Sequence, residues 1–562
     1  MSAKETLFRF PLGNPAQTGR LRPYRVGRAL TLTNPSPLAA ETPPSAVAGD
    51  KDENRRGQRE IEIKLITSPE GLAAALGSPL LRAAANAPAG RKLASVYFDT
   101  PQGDLRSNRM SLRVRRSGRS APVMTLKWPV DPGEGAFARG EIEMPVPKLQ
   151  PDLSLLQGEI AERLRALVGD RTLAPIYETR VWRITRLIGH GAARIEVAFD
   201  EGVILVGERS APLCEVELEL KAGPTRDLYE FAAKLAESLP LVVDIVSKAE
   251  RAHYFACAEA PVPVKARPVE LPGEVLDEAI ARIIASACAH FVANWAPLRG
   301  GDDPEAIHQM RVALRRLRAA LAMFLRAAPS SEFEHFRQEA KALATALGPA
   351  RDCDALRELV ETGPHEHFGE TQDFSTLLDA IEARRSEAYA EARALLADSR
   401  PTIFLMKLSA YVARRGWREA LSGENLGILS EPVDIFAAQA LERLYRRVLK
   451  RGKNLASLPD DARHQTRIAL KNLRYGAEFF APCFADARDP ASFVKAAAQL
   501  QGLLGAHNDA ASADHFLSQN LETEAARAAG LVTGWYARGA VIADGKLAKA
   551  WKNFKRIKPF WR

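Results

Sequence analysis

The sequence predicts a multidomain α+β protein in which a β-rich domain, rolled into a closed sheet, precedes an all-helical domain. Three observations carry that prediction. Charged and apolar residues alternate in Glu60-Ile61-Glu62-Ile63-Lys64-Leu65 and again in Glu215-Val216-Glu217-Leu218-Glu219-Leu220, the period of a strand. After about residue 270 the chain turns rich in Ala, Leu and Arg at helical spacing. The length, 562 residues with 46% hydrophobic and 26% charged side chains, suits several globular domains.

Residues 1–57 carry Pro35-Ser36-Pro37, Thr42-Pro43-Pro44 and scattered arginines with weak amphipathic spacing, so a disordered tail is expected there rather than a transit peptide. The first strand is followed by Ser68-Pro69-Glu70, an N-cap with Pro in the first turn. Further strands are expected at Tyr97-Phe98-Asp99, Ser111-Leu112-Arg113-Val114-Arg115, Thr125-Leu126-Lys127-Trp128, 139–143 and 194–200, with helices at 155–168 and 228–239. A single alternating strand is most simply a sheet face turned to water. Six or so of them, with ionisable residues of both signs on one face and apolar faces that need covering, point instead to a closed sheet with a charged interior.

On that interior, Glu60, Glu62, Glu215 and Glu217 would repel one another unless a cation neutralised them. All-oxygen ligands without His or Cys select Mg²⁺ or Mn²⁺. Lys64, Arg113, Arg115, Lys127 and Arg180 on neighbouring strands would then clamp phosphate, a combination suited to phosphoryl transfer. Glu60, Glu62 and Lys64 are the candidate catalytic set. No side chain has general-base character, which leaves a water activated by the metal as nucleophile.

These residues resemble the CYTH superfamily of triphosphate tunnel metalloenzymes. Glu60-x-Glu62-x-Lys64 is similar to its opening signature, and Leu126-Lys127, Arg139-x-Glu141-x-Glu143, Glu215-x-Glu217 and Ser247-Lys248-Ala249-Glu250-Arg251 follow in its order over about 58–255. The resemblance implies an eight-stranded antiparallel tunnel that acts on triphosphates. It puts metal on Glu60, Glu62, Asp200, Glu215 and Glu217, and phosphate on Lys64, Arg113, Arg115, Lys127, Arg180 and Lys248. Arg139, Glu141, Glu143, Arg194 and Glu196 fit an internal ion-pair lattice.

The helical half repeats itself. His308-Gln309-Met310-Arg311 through Arg318 matches His464-Gln465-Thr466-Arg467 through Arg474 at an offset of 464 − 308 = 156, and Leu347-Gly348 matches Leu504-Gly505 at 504 − 347 = 157. Two homologous bundles follow. On a helix His308, Arg311, Arg315 and Arg318 share a stripe, as do His464, Arg467, Lys471 and Arg474, with almost no acid among them to pair. One His per helix makes a poor metal site, so a phosphate donor fits better. This half resembles the CHAD domain, which implies tandem four-helix bundles whose basic helices, carrying those eight residues, bind polyphosphate.

The expected division is therefore a tail (1–57), a tunnel domain (58–255), a linker (256–272), a helical domain (273–556) and a basic-aromatic C-terminal tail (557–562). Formal net charge is +9, favouring anionic partners, but the basic stripes lack the interleaved aromatics that stack on single-stranded nucleic acid. No apolar run is read as long enough to span a membrane. Five scattered cysteines without a CxxC pair indicate a reducing, cytoplasmic compartment, with polyphosphate granules as a possible association of the helical half. The expected activity is hydrolysis of inorganic triphosphate to diphosphate and phosphate. The alternatives are a non-catalytic polyphosphate receptor, or a triphosphatase or cyclase for an organic triphosphate such as thiamine triphosphate or ATP.

Overall fold

A computed structural model describes residues 58–82, 90–130, 137–271, 273–370, 372–484, 490–518 and 525–562, so the expected tail at 1–57 lies outside the described residues. The β-rich half contains β1 (Gln58–Ile66), β2 (Arg91–Asp99), β3 (Ser111–Ser117), β4 (Val123–Pro129), β5 (Ala138–Pro145), β6 (Ala174–His190), β7 (Ala193–Val206), β8 (Arg209–Ala222) and β9 (Val242–Asp244). Antiparallel pairing runs β5-β4-β3-β2-β6-β7-β8-β1, and a β1–β5 pairing at 58–61 closes these eight into a barrel. Beyond the expected eight, β9 pairs with Lys64–Ile66 of β1.

Closure separates two faces. Residues of one parity point into the barrel and carry the charge; the other parity is apolar and packs outward under helices. Ile63, Leu65, Ile195, Val197, Phe199, Val216 and Leu218 are buried beneath α3 (Thr225–Ser238), which follows α1 (Pro69–Gly77) and α2 (Glu159–Val168) in the chain. On the opposite side Leu112, Val114, Met124, Leu126 and Ile142 pack against Ala161, Leu164 and Val168 of α2. As expected, Ser68 caps α1 by accepting from the Gly71 amide at 3.1 Å. Helix α4 (Lys248–Cys257) enters one end of the barrel: Ala252 and Phe255 meet the inward-facing Leu93, Val181, Ile204 and Leu213.

The helical half consists mainly of α5 (Leu276–Ala293), α6 (Pro304–Phe324), α7 (Ser331–Ala346), α8 (Gly348–Val360), α9 (Ser375–Ala397), α10 (Ser399–Ala413), α11 (Val433–Arg451), α12 (Asp460–Phe480), α13 (Pro490–Ser518) and α14 (Ala526–Arg556). The repeat is visible in the boundaries: α6 and α12 both span 21 residues, offset by 460 − 304 = 156. One bundle gathers α5, α6, α7 and α10, the other α11 to α14. Helices α8 and α9 form a side pair whose apolar residues Leu356, Leu377 and Ile381 join Ala528 and Val532 of α14. The repeated helices α6 and α12 pack against each other where Gly476 leaves no side chain; a Cβ there would stand 3.3 Å from Met323 Sδ and 3.2 Å from two leucines.

Barrel and helices share one apolar core, which runs from Ile63 to Trp561. Two expectations need correction. The segment Leu276–Gly300 does reach the length and mean hydropathy, 1.3, of a membrane span, but it is mostly buried, as in a core helix wrapped by its own bundle. Residues 557–562 are not a tail: Phe560 and Trp561 are buried with Trp551 and Phe554, and their rings meet Tyr445 and Phe493. Arg562 then closes on Glu442 with two 2.9 Å hydrogen bonds. The basic residues made this stretch look like a solvated end, but four aromatics offer more apolar surface than a free tail can leave exposed. Phe560→Ala or Trp561→Ala is expected to cost about 3–5 kcal/mol in denaturant unfolding, the usual range for emptying a buried aromatic site; an unchanged midpoint would mark the segment as undocked.

Candidate functional site

Inside the barrel, cross-strand neighbours alternate in sign. Lys64 stands opposite Glu217, Lys127 opposite Glu141, Glu60 opposite Arg139 and Arg183 opposite Asp200. Such pairs stabilise a sheet face that water cannot solvate freely. Four inward pairs are like-charged, Asp200 with Glu215, Glu62 with Glu219, Glu196 with Glu219 and Arg91 with Arg183, and these need counter-charges from elsewhere. Helix α4 supplies them to the first pair. Lys248, in its first turn after a Ser247–Glu250 capping box, lies 2.9 Å from Asp200 and 2.6 Å from Glu217 and also pairs with Glu215; Arg251, one turn on, pairs with Glu215.

These residues enclose a cavity of about 220 Å³. Nine cationic and eight acidic side chains line it, a near balance that a polyanion entering alone would upset. At one wall Lys127 Nζ reaches Glu60 at 2.5 Å, Glu62 at 3.2 Å and Glu141 at 3.3 Å. Lys64 bridges Glu62 at 3.5 Å and Glu217 at 3.8 Å. At the facing wall Arg183 donates to both Asp200 oxygens, at 2.5 and 2.6 Å, and to Glu217 at 2.5 Å. Arg115 donates to Ser95 at 3.1 Å, and Arg113 is 3.8 Å from Glu143.

Electrostatics divides the carboxylates. Burial and the charges of Glu62 and Glu141 push Glu60 up to about 9 against the pull of Lys127. Burial and Glu217 act the same way on Glu62, but Lys127, Lys64 and Lys248 outweigh them and hold it at about 2. Burial and like charge thus push the two neighbouring carboxylates apart, Glu60 upward and Glu62 downward. Asp200 and Glu217 stay below the usual carboxylate range because Lys248 and Arg183 overcome their burial. On the cationic side, burial with Arg113 and Arg183 nearby brings Arg115 down to about 10, the mark of positive charges crowded in want of an anion.

Residues 58–253 match the CYTH domain family and residues 282–518 the CHAD domain family. The chain is a CYTH–CHAD fusion. An inorganic triphosphatase of Haemophilus influenzae is 32% identical over 197 residues, which are 35% of this chain and 54% of that relative, so the chain spans about half of its length. An uncharacterized protein of Mycobacterium tuberculosis is 28% identical over 468 residues, 78% of this chain and 84% of the relative. The crystal structure of the CHAD domain from the plant Ricinus communis is 27% identical, with a TM-score of 0.43, covering 53% of this chain and 98% of its own.

In the CYTH domain, Glu60, Glu62, Lys64, Arg113, Arg115, Lys127, Glu217 and Lys248 line the cavity. Asp200 and Glu215 have no exposed surface and sit behind Lys248. With Glu217 they place one oxygen each within 4.8 Å of the others, an all-oxygen donor set that fits a hard divalent ion once the Lys248 ammonium yields. Arg180 is a correction: it points out of the barrel, 65% exposed, and pairs with Glu178. Arg183 takes the inward place. The two differ by three residues and therefore lie on opposite faces, a parity that the run Thr179-Arg180-Val181-Trp182-Arg183 does not announce, because its inward Val181 serves the plug. Arg251 was also missed, although its i,i+3 spacing from Lys248 on a helix was readable.

In the CHAD domain, His308, Arg311, Arg315 and Arg318 lie half-buried along α6. Burial and Arg351 lower the pKa of His308, and burial with neighbouring guanidiniums lowers those of Arg311 and Arg318. The stripe on α12 abuts it, with Arg315 Nε 3.4 Å from the Tyr475 hydroxyl. Acids are present after all: Glu478, one turn beyond the expected stripe, binds Arg474 at 2.6 Å and Arg316 at 2.7 Å, and Asp352 opposes Arg311. Arg474 also meets Gln501 at 3.1 Å, so it serves the bundle interior. His464 is exposed; Arg467 and Lys471 are half-buried. The side chains of 506–509, in the second match of the repeat, lie outside the described residues.

The parity assignment has a direct check. Arg183→Gln strips Asp200 and Glu217 of a buried partner and is expected to lower unfolding stability by about 3–5 kcal/mol, whereas Arg180→Gln, at an exposed pair, is expected to change it by less than about 1 kcal/mol in the same titration.

Proposed function

We propose that the CYTH tunnel hydrolyses inorganic triphosphate to diphosphate and phosphate with Mg²⁺ or Mn²⁺, and that the CHAD domain binds polyphosphate. The observation that carries the reading is the enclosed cavity with carboxylates and guanidiniums in near balance. A triphosphate brings several negative charges, which Arg113, Arg115, Arg183, Lys64 and Lys127 can bind and orient, Arg by its planar fork and Lys as a point charge. A divalent ion on Glu60, Glu62, Glu217 and, behind them, Asp200 and Glu215 would restore the balance and supply Lewis-acid polarisation of phosphoryl oxygens. The barrel wall buries Lys64, Lys127 and Arg183 to less than a fifth exposed, and limited solvation strengthens their interactions with an anion.

Lining aromatics are few. Tyr97 and Phe137 reach the cavity, whereas Trp128 packs on the outer face against the second apolar core. That leaves little surface for a stacked base and favours an inorganic substrate over thiamine triphosphate or ATP. The half-buried cations on α6 and their neighbours on α12 support a polyphosphate surface, since crowded guanidiniums gain most from a multivalent anion.

Phosphate release from inorganic triphosphate should require Mg²⁺ or Mn²⁺ and fall by at least about a hundredfold in a Glu60→Ala, Glu62→Ala double variant; unchanged release in the variant would remove these carboxylates from the site, and none in either protein would favour a receptor. Because burial pushes Glu60 up to about 9, a divalent ion there competes with a proton. Binding is therefore expected to release close to one proton at pH 7 and to tighten as pH rises towards 9, in calorimetry across buffers of different ionisation enthalpy; Glu60→Gln should abolish the release. An Arg311→Ala, Arg315→Ala variant should weaken binding of long-chain polyphosphate by about tenfold or more at low salt, with the difference narrowing as salt screens the stripe.

A further inference from the structure

Strand β9 lies where the barrel meets the helices, and the helical domain holds it at two successive residues. The Val243 amide donates to the hydroxyl of Thr402 on α10 at 3.0 Å. Next to it, Asp244 receives Nη2 of Arg299, just beyond α5, at 2.8 Å. The carbonyl of Ile245 then accepts from Arg139, a cavity residue, at 3.1 Å.

Asp244 belongs to both regions. It lines the tunnel cavity, is only 4% exposed, and stands opposite Lys64 across the β1–β9 pair. Although buried, its carboxylate is held below the usual range by Arg299 and Arg251, with help from the Val246 amide at 2.9 Å. Arg251 is also the partner of Glu215, whose other partner is Lys248. Two carboxylates therefore draw on one guanidinium, and Arg299 settles the competition by giving Asp244 a counter-ion of its own. Among the described residues Nε and Nη1 of Arg299 are buried without an acceptor, so Asp244 is the contact that compensates for its burial.

We infer that Arg299 is a positioning residue of the tunnel, through which the CHAD domain sets the charge at the plugged end of the cavity. This rests on the reading of the tunnel as a triphosphate site. Without that guanidinium an ionised Asp244 adds an unbalanced negative charge to the cavity wall and pulls Arg251 away from Glu215. Both changes weigh on the entry of a polyanion more than on the geometry around the reacting phosphorus.

The test uses the full chain with inorganic triphosphate, read as KM and kcat of phosphate release with Mg²⁺ and as the dissociation constant in EDTA, where no metal-dependent turnover accompanies binding. Arg299→Gln is expected to raise KM and the dissociation constant about tenfold with kcat within about twofold, the scale of one uncompensated charge near an anion site. Arg299→Lys should recover most of the loss, and Asp244→Asn in the Arg299→Gln background should return both constants towards wild type. Thr402→Val loosens the same strand without changing its charge and should leave KM close to wild type. Arg299→Gln indistinguishable from wild type overturns the inference, as does a loss that Thr402→Val reproduces or that Asp244→Asn fails to relieve. A wild-type chain that binds triphosphate without hydrolysing it removes the proposed activity and leaves the dissociation constants to decide; one that neither binds nor hydrolyses overturns both.

Discussion

Everything in the first half of this chain depends on keeping carboxylates and cations together where water is scarce. A buried charge costs several kcal/mol unless a partner is close, and rolling a sheet into a barrel concentrates such charges on one inner wall. The sequence meets the cost by register: Lys64 with Glu217, Lys127 with Glu141 and Arg183 with Asp200 are adjacent across strands. Where register leaves like charges together, at Asp200 and Glu215, a helix inserted into the barrel brings Lys248 and Arg251 to them. The result is a wall on which most charges have a partner of opposite sign, while Arg115 stands crowded by Arg113 and Arg183.

The same closure drives the association of the two domains. A barrel whose contents are polar except at the plug keeps most of its stabilising apolar surface on the outside, where it must be covered. Helix α3 covers part of it, and the continuous apolar cluster shows that the CHAD helices cover more. Lys407 and Glu237, 2.7 Å apart, rim that contact between α10 and α3. The helical domain thus packs on the barrel through a continuous apolar core, and β9, too short to be stable alone, is held between them.

Period was the most legible feature of the sequence. Alternation at Glu60–Leu65 and Glu215–Leu220 gave the inward parity of both strands, and the offset of 156 foretold two helices of identical length. What period could not supply was a reference for parity within a long strand that has both faces partly polar. Arg180 and Arg183 sit in a 17-residue strand where the inward face changes from apolar, against the plug, to charged, beside the cavity. Only the position of the plug says where that change falls. The C-terminal residues failed for a related reason: Lys and Arg around Trp551, Phe554, Phe560 and Trp561 suggested solvent, but their heads can snorkel while the aromatic bodies pack. Whether an amphipathic end docks depends on a groove elsewhere in the chain, here made by Tyr445 and Phe493.

The CHAD stripes show the limit of reading one helix at a time. On α12 alone, His464 to Arg474 looks like an unpaired row of positive charge, yet the next turn brings Glu478, which binds Arg474 on its own helix and Arg316 on α6. Glu478 therefore ties the two repeats together at one end of the row, and the guanidinium of Arg316, stacked 4.7 Å from the Phe479 ring, completes that joint. In the part of the row away from Glu478, His308, Arg311 and Arg315 on α6 crowd together beside Arg351, with Glu305 and Asp352 as the nearby carboxylates. Duplication thus produced two similar helices in different surroundings: at the Glu478 end their charges interlock across the repeats, and at the His308 end neighbouring guanidiniums crowd one another.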